Sequence, residues 1–186
     1  MQQVLSLEQP RTYTGRELRS LWIYETFGVA GNALVAFIGP CEVMTENLVD
    51  AEDRREGTTI RAARMLHFII EHFDDSLAAA VLRQRLFITS IRDALQSLVP
   101  TASLRRDGDD LYVGEAKLTV SIATKSPVST LIHLGVNIDP TGAPVEACGL
   151  GQWDVNVEEL AATLTAAYVE EMEAVQFATT KVRGVP

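Results

Sequence analysis

Apolar and polar positions alternate with period two along two neighbouring stretches of the chain and follow a helical period along three others. Along Leu118–Ala123, Leu118, Val120 and Ile122 take one side, leaving Lys117, Thr119 and Ser121 on the other. Along Leu131–Ile138, Ile132, Leu134, Val136 and Ile138 repeat the pattern, with His133, Gly135 and Asn137 opposite. Two such strands, once paired, would gather a lysine, two hydroxyls, an imidazole and an amide on one side of a sheet. That face is polar but nearly uncharged. It suits a ligand platform, and it equally suits the solvated face of an antiparallel sheet.

The helical signals frame these strands. Thr14-Gly-Arg-Glu17 has capping-box spacing ahead of Leu18, Leu21, Trp22 and Ile23, which predicts a helix over about Gly15 to Glu25. From Asp74-Asp75-Ser76, Leu77, Val81, Leu82, Leu86, Ile88, Ile91, Leu95 and Leu98 run at helical spacing until Pro100. Asn156 caps a last helix with Leu160, Leu164, Tyr168, Met172 and Val175 as its stripe. Ala33–Ile38 reads as a buried strand ended by Gly39-Pro40. Met44–Thr58 reads as a surface loop with a short helical turn. Ile60–Phe73 is ambiguous: Leu66–Phe73 favours a strand, whereas Arg61–Leu66 tolerates a helix. Residues after Lys181 are expected to fray.

Composition narrows the class. The 186 residues, 47% hydrophobic and without internal repeat or linker, predict one α/β domain of α+β type, with a largely antiparallel or mixed sheet flanked by helices. Its core is expected over about residues 14–180. A net charge of −9 argues against a nucleic-acid-binding surface. No apolar run reaches the roughly 18 residues of a membrane span. The first residues lack the basic-then-apolar layout of a secretory signal, so a cytoplasmic location is expected. Cys41 and Cys148 form no Cys-x-x-Cys and are expected to be free thiols.

His67-Phe-Ile-Ile-Glu71-His72 looks metal-like but is out of phase. Its histidines are five apart, wrong for one helical face and on opposite faces of a strand, so no metal site is expected. His67 and Glu71 do share a face and remain candidates for ligand contact or packing. Cys148 follows the turn Asp139-Pro-Thr-Gly142 and sits among small residues that would admit a substrate. As a nucleophile it needs a base, and Lys117 would serve if desolvation lowered its pKa. As a structural residue it is simply a small buried hydrophobe. No phosphate-loop, Rossmann or nucleophile-elbow motif is present.

Asp109-Asp110-Leu111-Tyr112-Val113, Lys117-Leu118 and His133-Leu-Gly-Val-Asn137 together resemble the biotin/lipoate protein ligase and octanoyltransferase superfamily. Met65-Leu-His-Phe-Ile-Ile-Glu-His-Phe-Asp74 and Lys117-Leu-Thr-Val-Ser-Ile-Ala-Thr124 more closely resemble the family called domain of unknown function 366. The resemblance implies a ligase-like fold, with Lys117 in the place of the superfamily lysine and Cys148 in that of an acyl-carrying thiol. Thr119, Ser121, His133, Asn137, His67, Glu71 and Arg64 would then contact substrate. The glycine-rich ligase and transferase motifs have no counterpart in Ile60–His67. Three functions are therefore carried forward. They are an acyl-group transferase or acyl-binding protein using the Lys117/Cys148 pair, an ATP-dependent ligase forming an acyl-adenylate, and a non-catalytic binding or dimeric scaffold protein. The partner expected is a small or carrier-bound acyl group, with a homodimer left open; no cofactor is assigned.

Overall fold

A computed structural model describes residues 1–185. A five-stranded mixed sheet forms its centre, in the spatial order β1 (Gln2–Ser6), β2 (Ala33–Val43), β3 (Ile60–His72), β8 (Thr130–Asp139) and β7 (Thr119–Lys125). Only the β1–β2 pair is parallel. A small second sheet joins β4 (Leu104–Asp107), β5 (Asp110–Val113) and β6 (Ala116–Lys117). The helices are α1 (Trp22–Phe27), α2 (Ala51–Glu56), α3 (Leu77–Leu98) and α4 (Val157–Thr180). No helix among the described residues is long and apolar enough to cross a membrane.

β2 and β3 are central and covered on both sides, which is why both read as near-continuous apolar runs rather than alternating ones. On one face, Leu34, Leu66, Phe68, Ile70, Leu134 and Val136 pack against Phe87, Ile88, Ile91 and Leu95 of α3 and Leu160, Leu164 and Tyr168 of α4. On the other face, Val35, Phe37, Met65 and Ile69 meet Tyr13, Trp22, Ile23 and Leu48. Pairing with β2 on one side and β8 on the other settles the ambiguous segment: all of Ile60–His72 is strand. Helix α3 begins where its acidic-and-serine signal places it, the Ser76 hydroxyl accepting from the Ala79 N–H at 3.2 Å.

Three expectations are corrected. The first helix starts at Trp22 instead of about Gly15, because the Thr14–Glu17 pair closes a turn without nucleating a helix. The Glu17 carboxylate takes the Thr14 N–H at 2.8 Å, and the Thr14 hydroxyl also donates to it. The helix is capped from a distance: buried Glu71 of β3 accepts the Leu21 N–H at 3.0 Å and the Ser129 hydroxyl at 2.6 Å. Strand β2 does not end at Gly39-Pro40. A bulge between Gly39 and Cys41 absorbs the proline's missing donor, and pairing with β3 resumes to Val43. The N-terminal strap Arg11–Tyr13 crosses at this bulge, with the Arg11 N–H on Ile38 O and the Tyr13 N–H on Pro40 O. Glycine is required there, since a Cβ on Gly39 would lie 2.0 Å from the Arg11 carbonyl oxygen. The third correction is β1 itself, whose short, half-polar sequence carries no strand signal and which pairs from Gln2 to Ser6. Val182 to Val185 carry no helix or strand, and Pro186, the last of the residues expected to fray, lies outside the described residues.

The α3 packing generates a direct prediction. Phe87 is 1% exposed and meets Phe68 edge-to-face at 5.1 Å, so Phe87→Ala should destabilise the fold by about 3–5 kcal/mol in urea unfolding. A loss below about 1 kcal/mol, the range of mild core substitutions, would contradict this packing.

Candidate functional site

The register between β7 and β8 decides which side chains can meet. Thr119 lies opposite Val136, Val120 opposite Gly135, Ser121 opposite Leu134, and Ile122 opposite His133. Residues directly opposite share a face, so the polar positions of the two strands fall on different sides of the sheet. The single polar platform expected from alternation does not form. Thr119 and Ser121 join the face of Leu134 and Val136, whereas His133, Gly135 and Asn137 join Val120, Met65 and His67 on the other. Strand β8 alternates as read, and so does β7 from Thr119. Leu118, read on the side of Val120, instead turns into the α3 core where the chain passes from the small sheet to the large one. The phase between β7 and β8 is what the pattern could not supply.

Each candidate then has a definite place. Thr119 is fully buried, and its hydroxyl accepts the Leu111 N–H at 2.8 Å, tying the small sheet to the large one. The Ser121 hydroxyl donates to the Asp109 carbonyl at 2.8 Å and accepts from Gln84 of α3 at 2.6 Å. Asn137 donates from Nδ2 to the Lys117 carbonyl at 3.2 Å, which fixes the backbone from which the lysine projects. His67 and His133 are buried and joined ring to ring, Nδ1 to Nε2, at 3.1 Å, and Tyr13 stacks on His133 at 3.6 Å. His72 lies on the opposite face and bonds the Tyr168 hydroxyl at 2.8 Å. Glu71 is engaged at the start of α1, and Arg64 is exposed beside the bulge in β3. Among the described residues no three His, Cys, Asp or Glu side chains are placed to hold a metal ion.

Lys117 stands at the junction of a two-lobed cleft. One lobe, about 280 Å³, is bounded by Tyr13, His133, Asp109, Asp110 and the turn Asn47–Asp50. The other, about 430 Å³, is bounded by Met65, Asn137, Arg61 and the loop from Ala143 to Ala147. The lobes share Asp53, Ile60, Lys117, Val120 and Ser121. Glycine at 135 keeps the floor open, because a Cβ there would come within 2.8 Å of the Met65 Cε. A separate hollow of about 390 Å³ lies by His72 and Arg83, where Arg83 forms an ion pair with Asp74 at 2.6 Å and His72 bonds Tyr168.

The lysine and the cysteine are neighbours in backbone only. Lys117 bridges to Ala147, and the Cys148 N–H bonds the Lys117 carbonyl at 3.0 Å. The residue after the bridged one projects to the opposite side, so Ala147 shares Lys117's face and Cys148 does not. The Cys148 sulfur accordingly lies 3.6 Å from the Ala116 carbonyl, and its side chain packs against the α3 core. Lys117 instead pairs with Asp110, Nζ to Oδ2, at 2.7 Å.

Electrostatics reinforce this division. Burial works against the Lys117 charge, but the Asp110 carboxylate and its hydrogen bond outweigh it and hold the ammonium above the ordinary lysine range. The lowered lysine pKa needed for a Lys117 base is therefore the opposite of what the structure has. Burial pushes Asp110 up to about 6, partly offset by Lys117. Burial also raises the Cys148 thiol, and it pushes Cys41 up to about 12. The residues missed in the sequence are Tyr13, Asp110 and Asp53. Asp110 had a readable signal: Tyr112 pairs with Lys117, and Asp110, two residues earlier, shares that face. Tyr13 had none, because the strap folds back across β2 from outside any periodic segment.

A family model described as domain of unknown function (DUF366) matches residues 1–183. An uncharacterised protein of Methanocaldococcus jannaschii is 36% identical over 171 residues, covering 88% of this chain and 76% of its own. The solved structure of a protein of unknown function from Pyrococcus horikoshi matches with a TM-score of 0.95 at 37% identity, over 100% of both chains. The biotin protein ligase of Aquifex aeolicus, in complex with biotin and ATP, matches with a TM-score of 0.60 at 14% identity. That match covers 91% of this chain and 70% of the ligase, and at such identity it speaks for the fold alone. The apo biotin protein ligase of Aquifex aeolicus and a lipoate-protein ligase A bound with ATP match at the same 14% identity.

The buried imidazoles set the pH dependence of stability. Burial holds His67 and His72 down to about 4, and it holds His133 well below its ordinary value. Unfolding frees all three to protonate below about 6.5, so stability is complete above that pH and is lost toward 4. Asp110 opposes them, because the folded carboxyl keeps a proton up to about 6 that the unfolded one releases near 3.8. The net uptake on unfolding near pH 5 is about two protons, a slope of about 2–3 kcal/mol per pH unit. Urea midpoints measured from pH 7 to pH 5 should fall steeply; a flat profile would contradict neutral, buried imidazoles.

Proposed function

Because the chain belongs to the domain of unknown function 366 family and has the ligase-like α/β fold, we propose that its cleft binds an acyl group of a small molecule at Lys117. The observation that carries this reading is the Lys117–Asp110 pair at the junction of the two lobes. An ammonium has three donors, and Asp110 uses one, which leaves two for a ligand oxygen. The larger lobe, with Met65, Ile60, Val120 and Val145, supplies apolar wall for a hydrocarbon chain. Thr119 spends its hydroxyl on the Leu111 N–H and Asn137 one N–H on the Lys117 carbonyl, whereas Lys117 stands at the junction of both lobes as a charged donor for an acyl carbonyl.

In a transfer reaction the lysine would stabilise charge developing on the carbonyl oxygen while an amine attacks the carbonyl carbon directly. The leaving group departs with the bonding pair and takes up the proton that the amine gives up. No thioester on Cys148 is needed, which suits a sulfur turned to the opposite side of its strand. The acyl-adenylate alternative is disfavoured by charge. Asp50, Asp53, Asp109 and Asp110 surround the smaller lobe with Lys117 as its one cation, a poor setting for phosphates.

Calorimetric titration with octanoate tests the reading. Lys117→Ala should weaken binding about 10- to 100-fold, the loss expected for a charge-assisted hydrogen bond. Cys148→Ser should bind as the wild type does and remain free of an acyl adduct by intact mass. Undiminished binding in Lys117→Ala, no binding to the wild type, or an adduct confined to Cys148 would each overturn it.

A further inference from the structure

Two acceptors of residues lining the smaller lobe, one on His133 and one on Asp110, are left without partners. The Gly39 carbonyl can only accept, so the His67 Nε2 lying 3.2 Å from it carries the proton. In a neutral imidazole this leaves Nδ1 of His67 as a lone pair, which must accept from Nε2–H of His133 across their 3.1 Å contact. His133 in turn is left with a lone pair on Nδ1. Burial keeps both rings neutral, His67 at about 4 and His133 well below its ordinary value, so the chain of tautomers has one direction.

His133 is 3% exposed, lines the lobe, and has no partner for Nδ1 among the described residues. The bonding directions of the two ring nitrogens diverge, so Nδ1 points away from His67 while Nε2 points toward it. Asp110 lines the same lobe and carries the second acceptor: its Oδ1 is buried and unpartnered, its other oxygen being held by Lys117. Asp109 is partly occupied by Gln84, Asp50 caps α2, and Asp53 adds a further negative charge. Lys117, the lobe's one cationic side chain, is already neutralised by Asp110.

We infer that this lobe is a subsite for a small ligand bearing a protonated amine, whose N–H groups are accepted by His133 Nδ1 and Asp110 Oδ1. The inference rests on the same cleft as the acyl reading but not on the acyl group, and it places an amine beside the lysine that would hold the carbonyl. His67 is a positioning residue here. It touches no ligand, and it fixes which nitrogen of His133 carries the proton.

The test is multiple-bond ¹⁵N–¹H NMR of the full chain labelled with ¹⁵N-histidine, titrated with butylammonium and separately with octanoate. In the free protein both His67 and His133 should show a protonated Nε2 and a bare Nδ1. Butylammonium should shift the His133 Nδ1 resonance toward the hydrogen-bonded range, and octanoate should leave it in place. His133→Phe should weaken butylammonium binding by about tenfold or more, the loss of a charge-assisted bond. Lys117→Ala should keep or strengthen it by releasing Asp110, whereas that variant weakens octanoate. The wild-type titration decides the matter if His133→Phe does not fold. A proton on His133 Nδ1 in the free protein would overturn the inference, as would a saturating butylammonium titration without a shift there. A shift produced by octanoate instead would do the same.

Discussion

Strand β8 is hydrogen-bonded to β3 on one side and to β7 on the other, and the register of those two ladders decides which of their side chains face the cleft and which face α3. With Ile69 opposite His133 and Ile122 opposite His133, one face receives His67, His133 and Gly135, and the other receives the apolar partners of α3. A slip of β8 by one residue would turn Leu134 and Val136 toward the strap and the His133 imidazole toward α3. The cost of placing those apolar side chains in the cleft and an unmatched ring in the core fixes the register. The cleft is thus a by-product of how the main core packs, and its floor is as rigid as that core.

Upon this floor the chain brings two elements that are remote in sequence. The strap Arg11–Tyr13 crosses β2 at a glycine and lays Tyr13 on His133, while the small sheet β4–β5–β6 carries Asp110 to Lys117. Together they give the smaller lobe one cation, already paired, and several acceptors. The balance favours an uncharged acyl carbonyl or a singly charged carboxylate at Lys117 over a run of phosphates, and it favours a cation near His133. Cys148 takes part only through its backbone, which helps to hold the Lys117 segment in place.

Much of the architecture was legible because local pattern and tertiary burial agreed. The α3 stripe, the Asn156 cap and the alternation within β7 and β8 all follow from periodicity. The failures occurred where a distant group replaced a local one. Glu71 caps α1 from another strand, so the capping-box signal at Thr14 misplaced the helix start. A bulge carried β2 past a proline that would otherwise have ended it. At the site, Lys117 and Cys148 stand out by residue type, but strand alternation around the Lys117–Ala147 bridge sends them apart. Pairing phase is a property of two strands, and neither sequence alone contains it.

The central claim is that Lys117, held as a cation by Asp110, is the group that receives an acyl oxygen. A crystal structure of the protein soaked with octanoate tests it most directly. The carboxylate should lie within hydrogen-bond distance of Lys117 Nζ and the chain in the lobe beside Met65 and Val145. Octanoate bound elsewhere with that lobe empty, or joined to the Cys148 sulfur, would contradict it.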